Sequence, residues 1–505
     1  MLIEFLNWAY VFAHVLLAAF GLNLLVALIA AVLHRPPKPT YALPAEWPHV
    51  LVQLPIFNER YVVERLIDAA AALDYPADKL HIQVLDDSTD DTANLARARV
   101  AQYRARGVNV SYLHRAQRTG FKAGALAAGL AADAHAEYVA IFDADFVPPP
   151  DFLRRLLSDF AADARLGLVQ ARWEHLNAQE NPITRAQALA LDSYFTVEQV
   201  ARSNAGWLMN FNGSAGLWRR ACIEDAGGWQ GDTLAEDLDL SYRAQLRGWR
   251  LAYRAEAAAP AELPPTLLAV KRQQFRWAKG SFQVMKKLGG ALLIAPFPLY
   301  KKLLGVLHLA GYLPHPLVVL SVLLSLPVVL FSQQAPFRWE GLGWLGMVPP
   351  LAALWGQWRL KRNLWNLRNY ILAVPGMIGL AVSNTRAFAE ALWGRASEFQ
   401  RTPKNTRAAA YAVQLDWTTW GELALAAYAL FTGFLALERL PALAPVMFLY
   451  ALSFGAVGAL GVWEARAMRK AQSTMRNSQS ATQKMRFPQN PQFATRFDVR
   501  RDVSE

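Results

Sequence analysis

The stretch Tyr138-Val139-Ala140-Ile141-Phe142-Asp143-Ala144-Asp145 places two acids at the end of a short apolar run. Side chains alternate along a β-strand, so Asp143 and Asp145 should point the same way where the strand ends. Both could then reach one divalent ion, because Mg²⁺ takes one or two carboxylates and leaves positions for water and phosphate oxygens. A second Asp-x-Asp, Asp237-Leu238-Asp239, shows that the pattern alone is weak. The strand context therefore carries the prediction of an Mg²⁺ or Mn²⁺ site.

Apolar runs and helical patterns alternate on both sides of this stretch, from residue 49 to residue 249. Such alternation predicts an α/β sheet whose ligands lie at the carboxyl ends of the strands. The predicted strands are residues 49–57, 80–85, 108–113, 138–142 and 166–171, and the predicted helices include residues 59–73 and 91–106.

Two more acids, Asp86 and Asp87, follow the second predicted strand. Carboxylates at a strand end could bind a base or a ribose, although this turn could equally supply a helix cap. Pro55, Asn58 and Glu59, at the end of the first strand, would form the other wall of this pocket. Glu59 could otherwise be a simple first-turn helix acid. A nucleotide contact is the favoured interpretation.

A basic loop with two glycines follows the third strand. It contains Arg115, Arg118 and Lys122 around Gly120 and Gly124, and a helix follows. Backbone N–H groups at a helix start and guanidinium groups both suit a diphosphate. A solvated basic loop is the alternative.

Glu236 and Asp237 precede a helical run. They could merely interact favourably with the helix dipole. Alternatively, one of them could act as a general base on the hydroxyl group of an acceptor substrate, which requires a positioned carboxylate. Further on, Gln273, Arg276 and Trp277 have helical spacing and should share one face. Trp can stack on a sugar ring, Arg can meet a diphosphate and Gln can hold a hydroxyl. A Trp packed in a core is the alternative.

The composition calls for a soluble part and a membrane part in one chain. Of 505 residues, 54% are hydrophobic and 18% are charged. Residues 9–33 carry no formal charge and are long enough for a spanning helix, which needs about 20 residues. A cleaved signal peptide is the alternative, but Glu4 precedes the run instead of a basic region. Arg35 and Lys38 follow it, so the positive-inside rule places the N-terminus outside and the next domain in the cytosol.

The second half of the chain turns apolar again. Four further crossings are predicted, at residues 313–331, 342–355, 421–437 and 440–463. Residues 370–382, broken by Pro375, are predicted as an interfacial or re-entrant helix, and residues 300–312 as an amphipathic surface helix. The predicted domains are a transmembrane helix and Pro-rich linker at 1–40, a cytosolic domain at 41–290, interfacial and transmembrane helices at 291–470, and a basic, poorly ordered tail at 471–505.

The formal charge of +12 could suit nucleic acid, anionic lipid or a phosphorylated substrate. The positive charge follows the membrane borders and the tail instead of an aromatic-rich groove, so no nucleic-acid partner is expected. Cys222 is the only cysteine, which excludes a disulfide or a cysteine-based metal cluster within this chain.

Together, the order of these motifs closely resembles glycosyltransferase family 2, in its processive branch of cellulose, chitin and hyaluronan synthases. Residues 84–92, 120–126, 142–146 and 211–219 resemble the plant cellulose-synthase-like A and C subfamilies, which make mannan, glucomannan and xyloglucan backbones. The resemblance implies an α/β GT-A-type cytosolic domain inserted between transmembrane α-helices. It also covers residues 399–404, inside a predicted gating-type loop at 396–407.

The motifs and the resemblance together assign candidate site residues. The nucleotide-sugar contacts would be Pro55, Asn58, Glu59, Asp86, Asp87, Arg118, Lys122 and Asp143. The acceptor or diphosphate contacts would be Gln273, Arg276, Trp277, Asn212, Gly213, Thr402 and Lys404. The resemblance makes Asp237 the general base, with Glu236 beside it, and Asp143 and Asp145 the metal ligands. Ala235 stands where the family usually has Thr. This difference affects local hydrogen bonding but leaves the acid assigned as the general base in place.

The leading hypothesis is a membrane-embedded inverting glycosyltransferase. It would transfer a hexose from a nucleotide sugar, UDP-glucose or GDP-mannose, to a growing β-linked polysaccharide and export the polymer through the lipid bilayer. The alternative enzyme adds one sugar to a membrane lipid such as ceramide, diacylglycerol or a polyprenyl acceptor. A transporter or scaffold that only senses nucleotide sugars is a third hypothesis. The expected location is the plasma or cell inner membrane, with the catalytic domain cytosolic, and accessory subunits are left open.

Overall fold

The computed structural model describes residues 1–34, 46–332, 343–395 and 415–486, and it places a mixed sheet after the first helix. The seven strands are β1 (Val50–Ile56), β2 (Leu80–Asp86), β3 (Val110–His114), β4 (Tyr138–Ile141), β5 (Leu166–His175), β6 (Gly216–Arg219) and β7 (Arg250–Ala261). Their order is β3-β2-β1-β4-β6-β5-β7. Only β6 is antiparallel to its neighbours. The carboxyl ends of the other six strands therefore lie along one edge.

All five predicted strands are confirmed as β1 to β5, whereas β6 and β7 were not predicted. β7 is rich in Ala and contains Pro260, and neither residue favours a strand by itself. It forms because it pairs in parallel with β5 along most of its length.

Helices cover both faces of this sheet. They are α2 (Val63–Ala71), α3 (Thr92–Ala105), α4 (Phe121–Ala131), α5 (Phe152–Ala161), α6 (Pro182–Thr196), α7 (Glu198–Asn204), α8 (Arg220–Asp225) and α9 (Glu236–Leu246). The two predicted helices are confirmed as α2 and α3, with shorter bounds. On β1, Val50 and Val52 pack with α2, α3 and α5, while Leu51 packs with α4, α8 and α9 on the opposite face. Burial on both faces explains the nearly continuous apolar runs.

Further helices flank the sheet in sequence. They are α1 (Leu2–Leu33), α10 (Leu267–Ile294), α11 (Leu299–Leu309), α12 (Pro314–Phe331), α13 (Val348–Arg359), α14 (Tyr370–Gly379), α15 (Ala381–Leu392), α16 (Trp417–Arg439) and α17 (Ala444–Arg486). Within the described residues, five segments are long and apolar enough to cross a membrane: 3–33, 314–331, 364–392, 417–439 and 441–470. The spans expected at 9–33, 313–331, 421–437 and 440–463 are confirmed as helices of this kind.

The segment predicted to cross at residues 342–355 is not among the described segments that are long and apolar enough to do so. Helix α13 there has 12 residues, which is about 18 Å of helix against a hydrocarbon core of about 30 Å. Its Gly356 lies against Thr196 at the end of α6, which belongs to the sheet domain. Ala352 and Ala353 of α13 are buried, whereas Leu351 and Leu354 are exposed, and composition alone does not distinguish a packed face from a face in contact with lipid.

Residues 364–392 are long enough to cross, but they do not form one continuous helix. A 3₁₀ turn at 364–369 precedes α14, and α14 is separated from α15 at Leu380. Helix α14 contains Pro375, while α15 buries the polar residues Asn384 and Glu390. The interfacial or re-entrant arrangement of residues 370–382 stays a prediction.

The predictions for residues 300–312 and for the C-terminal tail have different outcomes. The surface helix expected at 300–312 is present as α11, which buries Gly305 and Leu309 and exposes Leu299 and Leu303. The tail was expected to be poorly ordered from residue 471, yet α17 continues to Arg486. The Ala, Gln, Met and Lys residues of this stretch are all compatible with a helix.

Candidate active site

One cavity of about 200 Å³ lies at the carboxyl edge of the sheet and gathers most of the predicted site residues. The predicted residues that line it are Pro55, Glu59, Asp87, Arg118, Lys122, Asp143, Asp145, Asn212, Gly213, Glu236, Asp237, Gln273, Arg276 and Trp277. Asn58 and Asp86, although both are described, lie outside this lining. Thr402, Lys404 and the predicted gating-type loop at 396–407 lie outside the described residues.

The two acids after β2 are not equivalent. Asp86 is fully buried, and its Oδ1 accepts a hydrogen bond from the Ser88 N–H at 2.8 Å while its Oδ2 accepts one from the Tyr112 hydroxyl at 2.5 Å. Asp87 faces the cavity and is held by Arg115, whose Nε and Nη2 donate to its two oxygens at 2.7 and 2.5 Å. Of this pair, only Asp87 is placed for ligand contact. Asp86 stabilises the turn behind it.

The first wall of the cavity is fixed by a contact between the ends of β1 and β2. Asn58, in the left-handed region with φ of 56°, donates its N–H to the Ser88 hydroxyl at 2.8 Å and accepts from the Thr89 N–H at 2.9 Å. Asn58 therefore joins the two strand ends and is not a lining residue. Beside it, the Arg118 guanidinium lies 3.6 Å from the centre of the Phe57 ring, a cation–π contact that sequence analysis missed. Burial lowers the pKa of Arg118 to about 10, so it stays charged at neutral pH.

Lys122 links the predicted metal site to the acidic pair on α9. Its Nζ lies 2.6 Å from Asp143 Oδ1 and 3.8 Å from Glu236 Oε1, and it donates to the Gly213 carbonyl at 2.7 Å. Burial alone would lower the pKa of Lys122, but the carboxylates of Asp143 and Glu236 outweigh it and raise that pKa. The lysine is therefore cationic among acids, as a contact for a diphosphate should be.

Asp237 lies at the start of α9, and its environment disfavours its charged form. Burial and then the neighbouring Glu236 raise the pKa of Asp237 to about 7, while Lys122 acts in the opposite direction. A carboxyl group that titrates near neutral pH suits a general base. By contrast, Asp239 of the same Asp-x-Asp is fully buried between Arg243 at 2.7 Å and Lys287 at 2.9 Å, which makes it structural.

Gly213 and Asn212 approach the site from the segment before β6. Gly213 has φ of 83°, and a Cβ at this position would lie 2.9 Å from Asp237 Oδ2. The glycine therefore leaves room for the acid. The Asn212 side chain accepts from Gln199 Nε2 at 2.7 Å and donates to the Tyr194 hydroxyl at 3.0 Å, so its polar groups already serve the fold.

Helix α10 presents Gln273, Arg276 and Trp277 to the cavity, which confirms that they share one face. Burial lowers the pKa of Arg276, whereas Glu236 and Asp143 counteract this effect.

The apolar helices hold α10 in place through polar contacts. Both carboxylate oxygens of Glu464 on α17 accept from the first N–H groups of α10, at 2.8 and 2.9 Å. Lys271 pairs with Glu422 on α16 at 2.7 Å, and Lys279 pairs with Glu390 on α15 at 2.8 Å. Sequence analysis missed these contacts, although acids within apolar spans are the signal that could have revealed them.

A further wall, also missed, lies at the end of β5. It contains Trp173, Glu174 and His175, with Leu191 of α6 beside them. His175 Nε2 lies 3.1 Å from Asp192 Oδ1, so the ring is already engaged by a neighbouring acid.

Comparisons with known proteins concern the part of the chain that forms this cavity. Residues 48–280 match the family model described as glycosyltransferase like family 2. These residues form a family 2 glycosyltransferase domain. Over 247 residues, the chain is 46% identical to glucomannan 4-beta-mannosyltransferase 2 of Arabidopsis thaliana, covering 48% of this chain and 46% of that protein. Over 245 residues, it is 44% identical to glucomannan 4-beta-mannosyltransferase 1 of Oryza sativa subsp. japonica, covering 48% and 47%.

The chain spans about half the length of these curated relatives. The resemblance predicted from the motifs of the glycosyltransferase domain is confirmed. Among solved structures, the chain is similar to the mannosyltransferase PcManGT of Pyrobaculum calidifontis in complex with GDP-Man and Mn²⁺, with a TM-score of 0.54 and 22% identity over 77% of this chain and 100% of that one. This similarity confirms the GT-A-type fold of the glycosyltransferase domain.

Proposed function

We propose that this chain is a membrane-embedded inverting hexosyltransferase that extends a β-linked polysaccharide from a nucleotide sugar. One observation carries the proposal: Asp237, with a pKa raised to about 7, lines the same cavity as Asp143, Asp145 and Arg276. A base and a set of groups suited to a diphosphate therefore face one enclosed space.

The chemistry assigned to the cavity is a single displacement. Asp237 takes the proton of an acceptor hydroxyl while that oxygen forms a bond to the anomeric carbon of the donor. The bond between that carbon and the diphosphate breaks, its electrons leave with the nucleoside diphosphate, and the configuration inverts. Arg276 and Lys122 bind the departing phosphates, whose negative charge they offset.

The residues present also fit a divalent cation. Within residues 1–34, 46–332, 343–395 and 415–486, no group of three or more His, Cys, Asp or Glu side chains could hold a metal ion. Two carboxylates are nevertheless enough for Mg²⁺ or Mn²⁺ when phosphates and water complete the shell. Asp143 and Asp145 would hold the ion, which would supply further stabilisation of the leaving diphosphate.

The relatives support a polymer that contains mannose, since both named plant proteins are glucomannan mannosyltransferases. We therefore propose GDP-mannose as the donor ahead of UDP-glucose. The five long apolar segments support a position of the domain at a bilayer, and Asn204 donates to the carbonyl of His34 at the end of α1. Because Arg35 and Lys38 follow directly, we assign this end of α1, and the domain beside it, to the cytosolic side.

The test supplies the full chain in bilayers with labelled GDP-mannose or UDP-glucose and with Mg²⁺ or Mn²⁺. The expected product is a polymer that grows from GDP-mannose and is digested by a β-mannan hydrolase. Sole formation of a chloroform-soluble monoglycoside would instead establish transfer to lipid. No release of nucleoside diphosphate from either donor would contradict the enzyme proposal altogether.

A further inference from the structure

The end of β5 contributes a polar wall that the mechanism above does not use. Along the carboxyl edge, the ends of β1 and β2 form the first wall of the cavity, which is proposed to contact the nucleotide. Asp143 and Asp145 follow β4, and Glu174 lies near the end of β5. The strand order β2-β1-β4-β6-β5 therefore places Glu174 beyond the diphosphate site on the side away from the nucleoside. A hexose attached to a diphosphate bound there, or a hexose that receives the transferred sugar, would extend towards this side.

The Glu174 carboxylate is held between two guanidinium groups. Arg172 Nη2 donates to its Oε2 at 2.8 Å, and Arg362 Nη2 donates to its Oε1. Burial alone would raise the pKa of Glu174, but Arg172 and Arg362 outweigh it and lower that pKa, which keeps the group ionised at neutral pH. Each carboxylate oxygen can accept two hydrogen bonds, so both oxygens retain capacity for hydroxyl groups.

Arg362 is distant from Glu174 in sequence and lies just after α13. From the same region, Gln357 Nε2 donates to Asp192 Oδ2 at 3.1 Å, and Asp192 contacts His175 in the wall. The apolar C-terminal half thus completes a wall of the glycosyltransferase cavity and orients its carboxylate.

We propose that Glu174 binds hydroxyl groups of a hexose at the β5 end of the cavity, with Arg172 and Arg362 as positioning residues. This inference rests on the proposed function. The hexose is that of the donor or the terminal residue of the acceptor, and both present neighbouring hydroxyl groups to a carboxylate acceptor. The competing explanation is that Glu174 forms ion pairs with Arg172 and Arg362 and contacts no ligand.

The test is Glu174→Gln, which keeps the size of the side chain and removes its charge. In the full chain in bilayers, GDP binding should remain within about twofold of wild type, because GDP lacks the hexose. Loss of charged hydrogen bonds should weaken GDP-mannose binding roughly tenfold if the donor hexose is bound. If the acceptor hexose is bound, GDP-mannose binding stays constant and the KM for a mannan oligosaccharide rises by a similar factor.

Equal weakening of GDP and GDP-mannose binding, or no change in any of these constants, would overturn the inference. Asp163→Asn is the matched control, because Asp163 is paired with the exposed Arg250 at 2.9 Å before the start of β5. It should leave all constants unchanged.

Arg362→Ala provides a second variant if Glu174→Gln does not fold. It should weaken GDP-mannose binding, or raise the KM for the mannan oligosaccharide, by a smaller factor than Glu174→Gln while GDP binding is retained. Unchanged constants would again overturn the inference. The proposed function fails separately, if wild type releases no nucleoside diphosphate from either GDP-mannose or UDP-glucose. An active wild type with a Glu174→Gln variant that behaves identically refutes only the hexose contact.

Discussion

The Lys122 ammonium lies 2.6 Å from Asp143 Oδ1, so one cation joins the predicted metal carboxylates to the acidic pair that contains Asp237. It also donates to the carbonyl of Gly213. This lysine therefore sets the charge balance of the site in addition to being placed for phosphate binding.

Removal of this cation should shift the pH profile. Lys122 lowers the pKa of Asp237, so Lys122→Met should raise that pKa above about 7 and move the acid limb of kcat/KM to higher pH. Lys122→Arg keeps the charge and serves as the control, with its acid limb close to wild type. An unshifted limb in Lys122→Met would show that the two groups are not coupled.

The wild-type enzyme should itself lose activity in mild acid. The base must be deprotonated, and burial with Glu236 raises the pKa of Asp237 to about 7. The initial rate should therefore fall about tenfold per pH unit below that value and level off above it. Measurement of kcat/KM between pH 5 and 9 checks this, and a flat profile down to pH 5 would contradict it.

Gly213→Ala should separate backbone strain from catalysis. Gly213 and Gly206 both have positive φ, 83° and 68°, but only at Gly213 would a Cβ meet Asp237, whereas nothing lies within 4 Å at Gly206. Both Ala variants should lose about 1 kcal/mol of unfolding free energy. Only Gly213→Ala should also lower kcat, by at least about tenfold. Equal kcat values in the two variants would rule out the steric role.

The contact between Lys271 and Glu422 predicts a test of how α10 is anchored. Both side chains are buried, with their charged groups 2.7 Å apart. Lys271→Met leaves an uncompensated acid and should destabilise the protein by about 3–5 kcal/mol, while the double variant with Glu422→Gln should recover much of that loss. Thermal unfolding of wild type and of the two variants measures this. Equal midpoints for the single and double variants would be inconsistent with a buried pair.

Sequence patterns located the strands and their acidic ends because period and composition are local properties. They identified β1 to β5 and the face shared by Gln273, Arg276 and Trp277. They did not give the direction of a side chain after its strand ends, so they did not show that Asp86 and Asn58 lie outside the lining of the cavity. The turn geometry that points Asp86 towards Tyr112 exists only in the folded chain.

Local sequence patterns did not predict contacts between distant parts of the chain. Glu174 follows an ordinary strand, and its significance comes from Arg362, which the fold brings beside it. The short helix α13 shows the same limit, since packing on α6 and passage through lipid both select apolar residues.

The central claim is that Asp237 is the base of a sugar transfer in this cavity. Turnover of labelled GDP-mannose by wild type and Asp237→Asn, in identical bilayers with Mn²⁺ and with GDP binding measured alongside, tests it most directly. The account predicts that GDP release falls roughly 10²–10⁴-fold in the variant, while its affinity for GDP stays within about twofold. Unchanged GDP release from Asp237→Asn would contradict it.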